Sequence, residues 1–373
     1  MNIKEIENKR IAVLLSGGVD SSVVVYEFAK LGLHPDCFYI KIGPEERLRV
    51  GEQGTEMEEE WDCSSEEDLE MATAVTHKYG CRLEVIDCHK EYWDQVTAYT
   101  MDKVRTGYTP NPDVMCNRLI KFGAFDEKRG HDYDLIATGH YAQTEIDEAG
   151  WKWLVTSPDP VKDQTDFLAQ IYDWQLKKAL FPIGHYMKDE VRQIAEREHL
   201  VNAKRKDSQG ICFLGKINYN DYVRRYLGEQ PGDVIELETG KRIGEHKGLW
   251  FHTIGQRKGM GFSGGPWFVV KKDVAKNILY VSHGYDPETA YRQDFSVFDF
   301  HWLTQPVEIE RITFKIRHTP DYLPATLEQT GEGSYIVHSK DRIHGVAPGQ
   351  FCVIYDENHH RCLGSGEITT GTE

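Results

Sequence analysis

The chain has 373 residues, 40% of them apolar and 28% charged, and a formal net charge of −16. This length predicts two or three domains, each able to bury its own core, and the acidic balance argues against a generic nucleic-acid binder, whose affinity comes mostly from phosphate contacts. No apolar run reaches the roughly 18 residues of a membrane span, and the polar start MNIKEIENKR lacks the apolar stretch of a secretory signal, so a cytoplasmic protein with no membrane partner is expected.

Residues 11–138 alternate short apolar runs with helical patterns, which predicts a parallel α/β sheet. Strands are expected over 11–15, 37–40, 83–86 and 135–138. The first strand runs into Ser16-Gly17-Gly18-Val19-Asp20-Ser21-Ser22, with a helix expected over 21–31. Glycines at that junction let the backbone approach a ligand closely and form a concave set of N–H donors. The helix N-terminus behind them adds partial positive charge, so the turn is built to hold phosphate. It is not the GxxxxGK[ST] loop, which is absent. SGGVDS resembles instead the PP-loop of ATP pyrophosphatases, enzymes that adenylate a carbonyl oxygen and release pyrophosphate. Residues 43–63 are long, acidic and aperiodic, and are expected to form a mobile loop over the carboxyl edge of the sheet, where open α/β sheets bind ligands. Ser64 and Glu67 predict a capping box for a helix running to Tyr79, with Gly80 as its stop.

Thr109 to Asn117 reads Thr-Pro-Asn-Pro-Asp-Val-Met-Cys-Asn. Its two prolines stiffen the segment, and a helix is expected to start at Asn117. A thiol at a helix N-terminus beside Arg118 carries more thiolate at neutral pH, and Asp113 is placed to shuttle a proton. The same residues also read as a buried structural cysteine next to a surface aspartate. A second thiol, Cys212, follows Lys204-Arg205-Lys206 in the run KDSQGICFLG. Those cations favour thiolate and Gly210 and Gly215 permit a mobile loop, although Ile-Cys-Phe-Leu by itself reads as core. The eight cysteines show neither CxxC nor paired zinc-ligand spacing, so no metal site is predicted and a reducing compartment fits. An adenylating loop with two separately activated cysteines has one economical use: a carbonyl is activated with ATP and then attacked by sulfur.

Helices are expected over 187–200 and 219–227. From Pro231 onward, Gly and Pro punctuate short alternating segments at 267–270, 278–281, 312–316, 335–337 and 351–355. These predict two β-rich modules, the last a small β-barrel. The domains are expected to be a catalytic 1–210, a central RNA-binding 211–287 and a C-terminal 288–373. Basic pairs at 224–225, 257–258 and 271–272 leave room for a local RNA-binding face, though each alone also reads as solvated surface. Gly259 to Gly264 matches GxGxxG but follows no clear strand and opens no helix, so a Rossmann reading fails on context.

SGGVDSS, TPNPDVMCN, IKFGAF, IATGHYA, KDQTDFLAQ, KDSQGICFLG, GEHKGLWFHTIGQRKG and APGQ occur in that order. Together they resemble the tRNA-specific 2-thiouridylases (MnmA type) over nearly the whole chain. The resemblance implies ATP-dependent thiolation of the wobble uridine of tRNA at its 2-carbonyl, in the anticodon stem-loop, with Mg²⁺ and a sulfur-donor protein as further requirements. It implies nucleotide contacts at Leu14, Leu15, Ser16, Gly17, Gly18, Val19, Asp20, Ser21, Ile40 and Gly139. Cys116 would be a nucleophile, Cys212 the carrier of a persulfide, and Asp113 a general acid/base. Asn111, Pro112 and Asp113 would meet the target base. His140, Lys162, Asp163, Gln164, Arg317, His318 and Gln350 match tRNA-contacting positions. Ile40 and His318 stand where many members have Met and Tyr; Ile40 keeps an apolar contact with adenine, while His318 stacks more weakly. A PP-loop ligase acting on a small molecule, or an RNA-binding module with a dead nucleotide loop, are the alternatives. The β-rich C-terminal third weighs against the first, and the intact Asp20, Asp113, Cys116 and Cys212 against the second.

Overall fold

A computed structural model describes residues 6–42, 65–206, 218–285, 287–304 and 311–369. They group into two compact units, one of residues 1–97 and 113–219, the other of 98–112 and 220–373.

The first unit is built on five parallel strands. In chain order these are β1 (Ile11–Leu14), β2 (Asp36–Lys41), β3 (Leu83–Asp87), β4 (Leu135–Ala137) and β7 (Ala179–Leu180), arranged β3–β2–β1–β4–β7. All four residues of β1 are buried, as a central strand covered by helices on both faces requires. Val13 is in register with Cys37 on one side and Ala137 on the other. The connection from β1 to β2 goes one way along the sheet and the chain returns to β4 on the other side of β1. The carboxyl ends of β1 and β4 therefore flank the point where strand order reverses, the crevice in which such sheets hold ligands.

Helix α1 (Val19–Lys30) covers this crevice from behind, and its Val23, Val24, Val25 and Phe28 are wholly buried. Helix α2 (Ser65–Tyr79) ends at Gly80, whose φ of +65° provides the left-handed stop that the sequence predicts. Its proposed cap, Ser64, and the loop 43–63 lie outside the described residues. Helix α3 (Lys188–Arg197) packs Val191, Ile194 and Ala195 into the same core as α1. A hairpin of β5 (Gln143–Ile146) and β6 (Lys152–Val155) interrupts the α/β alternation.

The second unit is β-rich, as expected. Strands β8 (Gly232–Glu236), β9 (Arg242–His246), β10 (Trp267–Asp273) and β11 (Ile278–His283) form one sheet, in which β11 and β8 pair parallel around Val234, Val269, Leu279 and Val281. Six further strands are β12 (Tyr291–Trp302), β13 (Ile312–Lys315), β14 (Leu323–Gly331), β15 (Ser334–His344), β16 (Phe351–Asp356) and β17 (Arg361–Thr369). They run antiparallel in the order β12–β15–β14–β13–β16–β17, and pairing of β12 with β17 closes the barrel. Closure removes the edges that would otherwise invite association. The helix Ala98–Arg105 and the residues after it, to Pro112, belong to this unit rather than to the one that flanks them in sequence.

Candidate active site

The Ser16–Ser22 turn follows β1 as the sequence predicts, and the helix starts two residues earlier than expected, with Gly18 as its N-cap. Among the described residues no side chain caps α1, which leaves the N–H groups of its first turn as donors for a ligand. Gly17 has φ +76°, and a Cβ there would lie 2.2 Å from the Asp68 carbonyl oxygen, so both conformation and space demand glycine. Internal bonds stiffen the turn: Ser21 Oγ donates to Gly18 O at 3.1 Å and Ser22 Oγ to the same oxygen at 2.9 Å. Asn202 Nδ2 holds it from outside, donating to Gly17 O at 2.6 Å and to Ser22 Oγ at 2.8 Å. Asp20, in the first turn of α1, accepts 2.8 Å bonds from Lys188 Nζ on each carboxylate oxygen, and a third of 2.8 Å from the Tyr141 hydroxyl. A cation, an anion and a row of N–H donors thus sit together at the end of β1. Leu14 and Leu15 are buried beneath them, and Leu15 N donates to Phe38 O of β2, two residues before the half-buried Ile40.

Gly139, at the end of β4, reaches the same place from the other side of the switch point. A Cβ on it would fall 2.9 Å from Ser21 N and 3.1 Å from Asp20 C, backbone atoms that cannot swing aside. Gly139→Ala should therefore push the two turns apart and weaken the binding of a nucleotide at this junction by about 10-fold or more, with a stability loss of about 1–3 kcal/mol. Nucleotide titration measured beside a melting curve would check both, and unaltered affinity would mean that no nucleotide binds across this junction.

His140, Asp163 and Gln164 are drawn into the same unit but turn inward. His140 is buried, its Nδ1 2.8 Å from Thr138 Oγ1, and burial, followed by the charge of Lys121, pulls its pKa well below the ordinary imidazole range. Asp163, 1% exposed, accepts from Ser157 N and Thr165 Oγ1. Gln164 Oε1 accepts from Tyr141 N at 3.0 Å while its own N–H donates to Tyr141 O. Lys162 is half-buried and donates through its N–H to Asp159. Residues 162–170 thereby brace the Gly139–Tyr141 turn.

One expectation fails at Cys116. The helix begins at Pro112 and not at Asn117: Pro112–Cys116 is already helical, wide π-type turns continue over Asn117–Ala124, and Phe125–Lys128 follows. Proline at the first helical position has no N–H to waste and a φ already set for the helix, so Pro112 opens the element that it was expected to precede. Cys116 lies a full turn in, where the terminal field has decayed, and is 1% exposed. Asp113 is in the first turn, half-buried. The π-type turns are anchored to the bracing segment by Asn117 Nδ2 on Phe167 O at 2.9 Å, Arg118 Nη1 on Gln170 Oε1 at 2.9 Å, and Gln175 Nε2 on Arg118 O and Phe122 O. Such turns often mark functional sites.

The remaining residues separate. Cys212 lies outside the described residues. Asn111, Pro112, Arg317, His318 and Gln350 fall in the second unit, where Arg317 and His318 are exposed. There Gln350 Nε2 donates to Thr109 O at 2.7 Å and to Pro110 O at 3.2 Å, Thr109 N donates to Pro348 O at 2.7 Å, and Lys272 Nζ donates to Gly107 O at 3.0 Å. The segment leading to Asn111 is thus gripped by both β modules of its unit. Lys188, Tyr141 and Asn202 are functional candidates that the sequence reading missed. Only Lys188 carries a signal: a cation at the first position of a helix opposes the local dipole and asks for a carboxylate partner elsewhere.

A five-stranded parallel sheet with a Ser-Gly-Gly turn at its switch point is the frame of a PP-loop nucleotide protein. Comparison with known proteins narrows this. Residues 9–216 match the tRNA methyl transferase HUP domain, 220–283 the tRNA methyl transferase PRC-barrel domain, and 292–368 the aminomethyltransferase β-barrel domain. A tRNA-specific 2-thiouridylase MnmA 1 of Bacteroides thetaiotaomicron is 59% identical over 365 residues, 96% of this chain and 99% of that one. Relatives called tRNA-specific 2-thiouridylase MnmA in Parabacteroides distasonis and Porphyromonas gingivalis are 56% and 55% identical, each over 97% of this chain and 99% of the other. The chain belongs to the tRNA-specific 2-thiouridylase family. No helix among the described residues is long and apolar enough to cross a membrane.

Proposed function

We propose that the protein is a tRNA-uridine 2-sulfurtransferase that thiolates the wobble uridine at its 2-carbonyl, using ATP and a persulfide. The reading rests above all on one observation: the phosphate turn, the Gly139 turn and the helix that carries Asp113 and Cys116 belong to one unit and are bonded into one network through Asp20–Tyr141–Gln164 and Asn117–Phe167.

The first-turn N–H groups of α1 and the Lys188 cation receive the phosphates of ATP, which is a substrate here. The 2-carbonyl oxygen of uracil attacks the α-phosphorus and pyrophosphate leaves. A poor leaving oxygen becomes the AMP ester, which is the reason for spending ATP. Mg²⁺ supplies charge neutralisation when bound with the nucleotide; a carboxylate is a suitable hard ligand, and Asp20 is the carboxylate of this turn that would hold it. Sulfane sulfur on Cys212 then attacks C2 and displaces AMP, leaving the base joined to Cys212 through two sulfurs. Cys116 attacks the Cys212 sulfur, the S–S bond breaks, the thiolated base departs, and a Cys116–Cys212 disulfide remains. Asp113 moves the proton. The base must leave its stack to enter. Asn111, Pro112, Arg317, His318 and Gln350 serve the RNA from the second unit. His140, Asp163 and Gln164 act by shaping the pocket wall, since their side chains are spent inside it. A sulfur-donor protein reloads Cys212, and the reducing cytoplasm regenerates the thiols.

Purified protein first loaded with sulfane sulfur from polysulfide and freed of the excess should, with ATP, Mg²⁺ and an unmodified tRNA with a wobble uridine, yield one turnover of 2-thiouridine, read by mass after digestion. The affinity for tRNA should fall steeply with added salt despite the net charge of −16, because local lysines and arginines release counterions from the phosphates. Pyrophosphate release without 2-thiouridine would sink the sulfur-transfer half of the reading, and a flat salt profile the phosphate-tracking face.

A further inference from the structure

We propose that the second unit binds a small apolar carboxylate, in a cavity of about 430 Å³ that lies between its two β modules and the turn 106–108. That volume falls within the roughly 300–1,000 Å³ of small-molecule sites. Strand β10 lends Val270 and Lys272 to the lining, and Val274 follows just beyond it. The barrel lends Phe295 of β12, Ile336 of β15 and Ile368 of β17. The turn completes the lining with Gly107 and Tyr108. Gly107 has φ +82°, and a Cβ there would fall 2.6 Å from Val274 Cγ2, so the turn seats against this strand only with glycine. The Tyr108 hydroxyl lies 3.3 Å from Thr369 Oγ1 at the end of β17. The turn is therefore tied to both β modules, and the cavity is formed before a ligand arrives, which lowers the ordering that binding requires.

The cavity holds a cation that no anion of the protein answers. Lys272 Nζ donates to Gly107 O at 3.0 Å, which occupies one of the three N–H bonds of an ammonium. That carbonyl is a neutral acceptor, and among the described residues Lys272 makes no ion pair. Burial alone, with no carboxylate opposing it, brings its pKa down to about 8. A buried charge is expensive until it is paired, and an anion in the adjacent space pairs it. Asp294, the carboxylate on the lining, is already bonded to His338 Nδ1 at 2.9 Å. Lys271 and Arg292, both exposed, add positive charge to the lining. His252 also feels Lys272: burial, then the charges of His246 and Lys272, lower it to about 4. It is thus neutral at pH 7 and does not compete for the anion.

The ligand follows from this contrast. Phe295, Ile336 and Ile368 take an apolar body, and Lys272 takes one negative group whose oxygens accept its remaining N–H bonds. A phosphate chain would meet aliphatic side chains along most of its length. Every lining residue belongs to the second unit, whereas the phosphate turn belongs to the first, so the site is not part of the ATP chemistry.

Octanoate is the probe and octanol its neutral control. Titrated into full-length protein and followed by calorimetry, octanoate should bind saturably at one site per chain, at least about 10-fold more tightly than octanol. Lys272→Met keeps most of the stem and removes the charge, so it should abolish that preference while octanol still binds. Should this variant fail to fold, the unaltered protein decides: octanoate should slow the acetylation of Lys272, read by peptide mass mapping, and leave Lys271 as reactive as before. Equal affinities for the two probes, or acetylation of Lys272 at one rate with and without saturating octanoate, would overturn the proposal. So would protection of Lys272 by tRNA and not by octanoate, which would give the cavity to RNA.

Discussion

Cys212→Ser should abolish 2-thiouridine formation, by at least about 10³-fold, and leave ATP-dependent pyrophosphate release within a few-fold of normal. Serine cannot carry sulfane sulfur, whereas every group that binds ATP or the base is retained. Cys116→Ser separates the two thiols further. Cys116 is 1% exposed, in a helix flanked by the buried Val114 and Ile120, so exchange of sulfur for oxygen opens no large cavity and the fold should persist. Sulfur should still reach C2, but nothing would break the bond to Cys212. A covalent enzyme–tRNA adduct should accumulate, and a reducing agent should liberate thiolated tRNA from it. Denaturing gels with and without reductant distinguish these outcomes. Free 2-thiouridine from Cys212→Ser would remove the persulfide from the mechanism, and reductant-independent product from Cys116→Ser would assign the release step to another group.

The α/β half of the molecule was legible because its signals are local. Ile11 to Leu14 is apolar throughout, the glycines follow at once, and Gly80 marks the end of α2. Periodicity and turn chemistry act within a few residues, which a sequence exposes. The start of the Cys116 helix was misread because proline serves equally in a turn and at a first helical position, and the choice between them is settled by packing. Strand β12 was not anticipated at all. Its pairing shifts register between Phe298 and His301, and Asp299 takes φ +48°, so the alternation that betrays a half-buried strand is broken midway. Lys188 and Asn202 were invisible for a different reason: their partners lie 168 and 185 residues away. The pairing depends on how α3 docks against α1, and no window of sequence contains it. The same holds for residues 98–112, whose membership of the second unit follows from Thr109 and Gln350 meeting across 241 residues.

Asp20→Ala should lower ATP-dependent pyrophosphate release by about 10²-fold or more, a loss typical of removing one group from a charge-stabilising site. Asp20 has two assignable tasks, and a double-mutant cycle separates them. If it serves only to aim the Lys188 ammonium, held by both carboxylate oxygens at 2.8 Å, Lys188→Ala alone should match Asp20→Ala, and the double variant should be no worse than either. If the carboxylate also meets the metal that accompanies ATP, Asp20→Ala should be the more damaging change, and excess Mg²⁺ should partly restore Lys188→Ala but not Asp20→Ala. Stability gives an independent check. The Lys188 side chain is 11% exposed and that of Asp20 31%, so truncating the carboxylate strands a largely desolvated cation and should cost about 1–3 kcal/mol. Truncating the lysine leaves an anion in the first turn of α1, where the helix field favours it, and should cost less. Equal melting losses for the two single variants would mean that the helix terminus does not bear on Asp20. Unchanged pyrophosphate release in Asp20→Ala would move the nucleotide away from the end of β1 altogether.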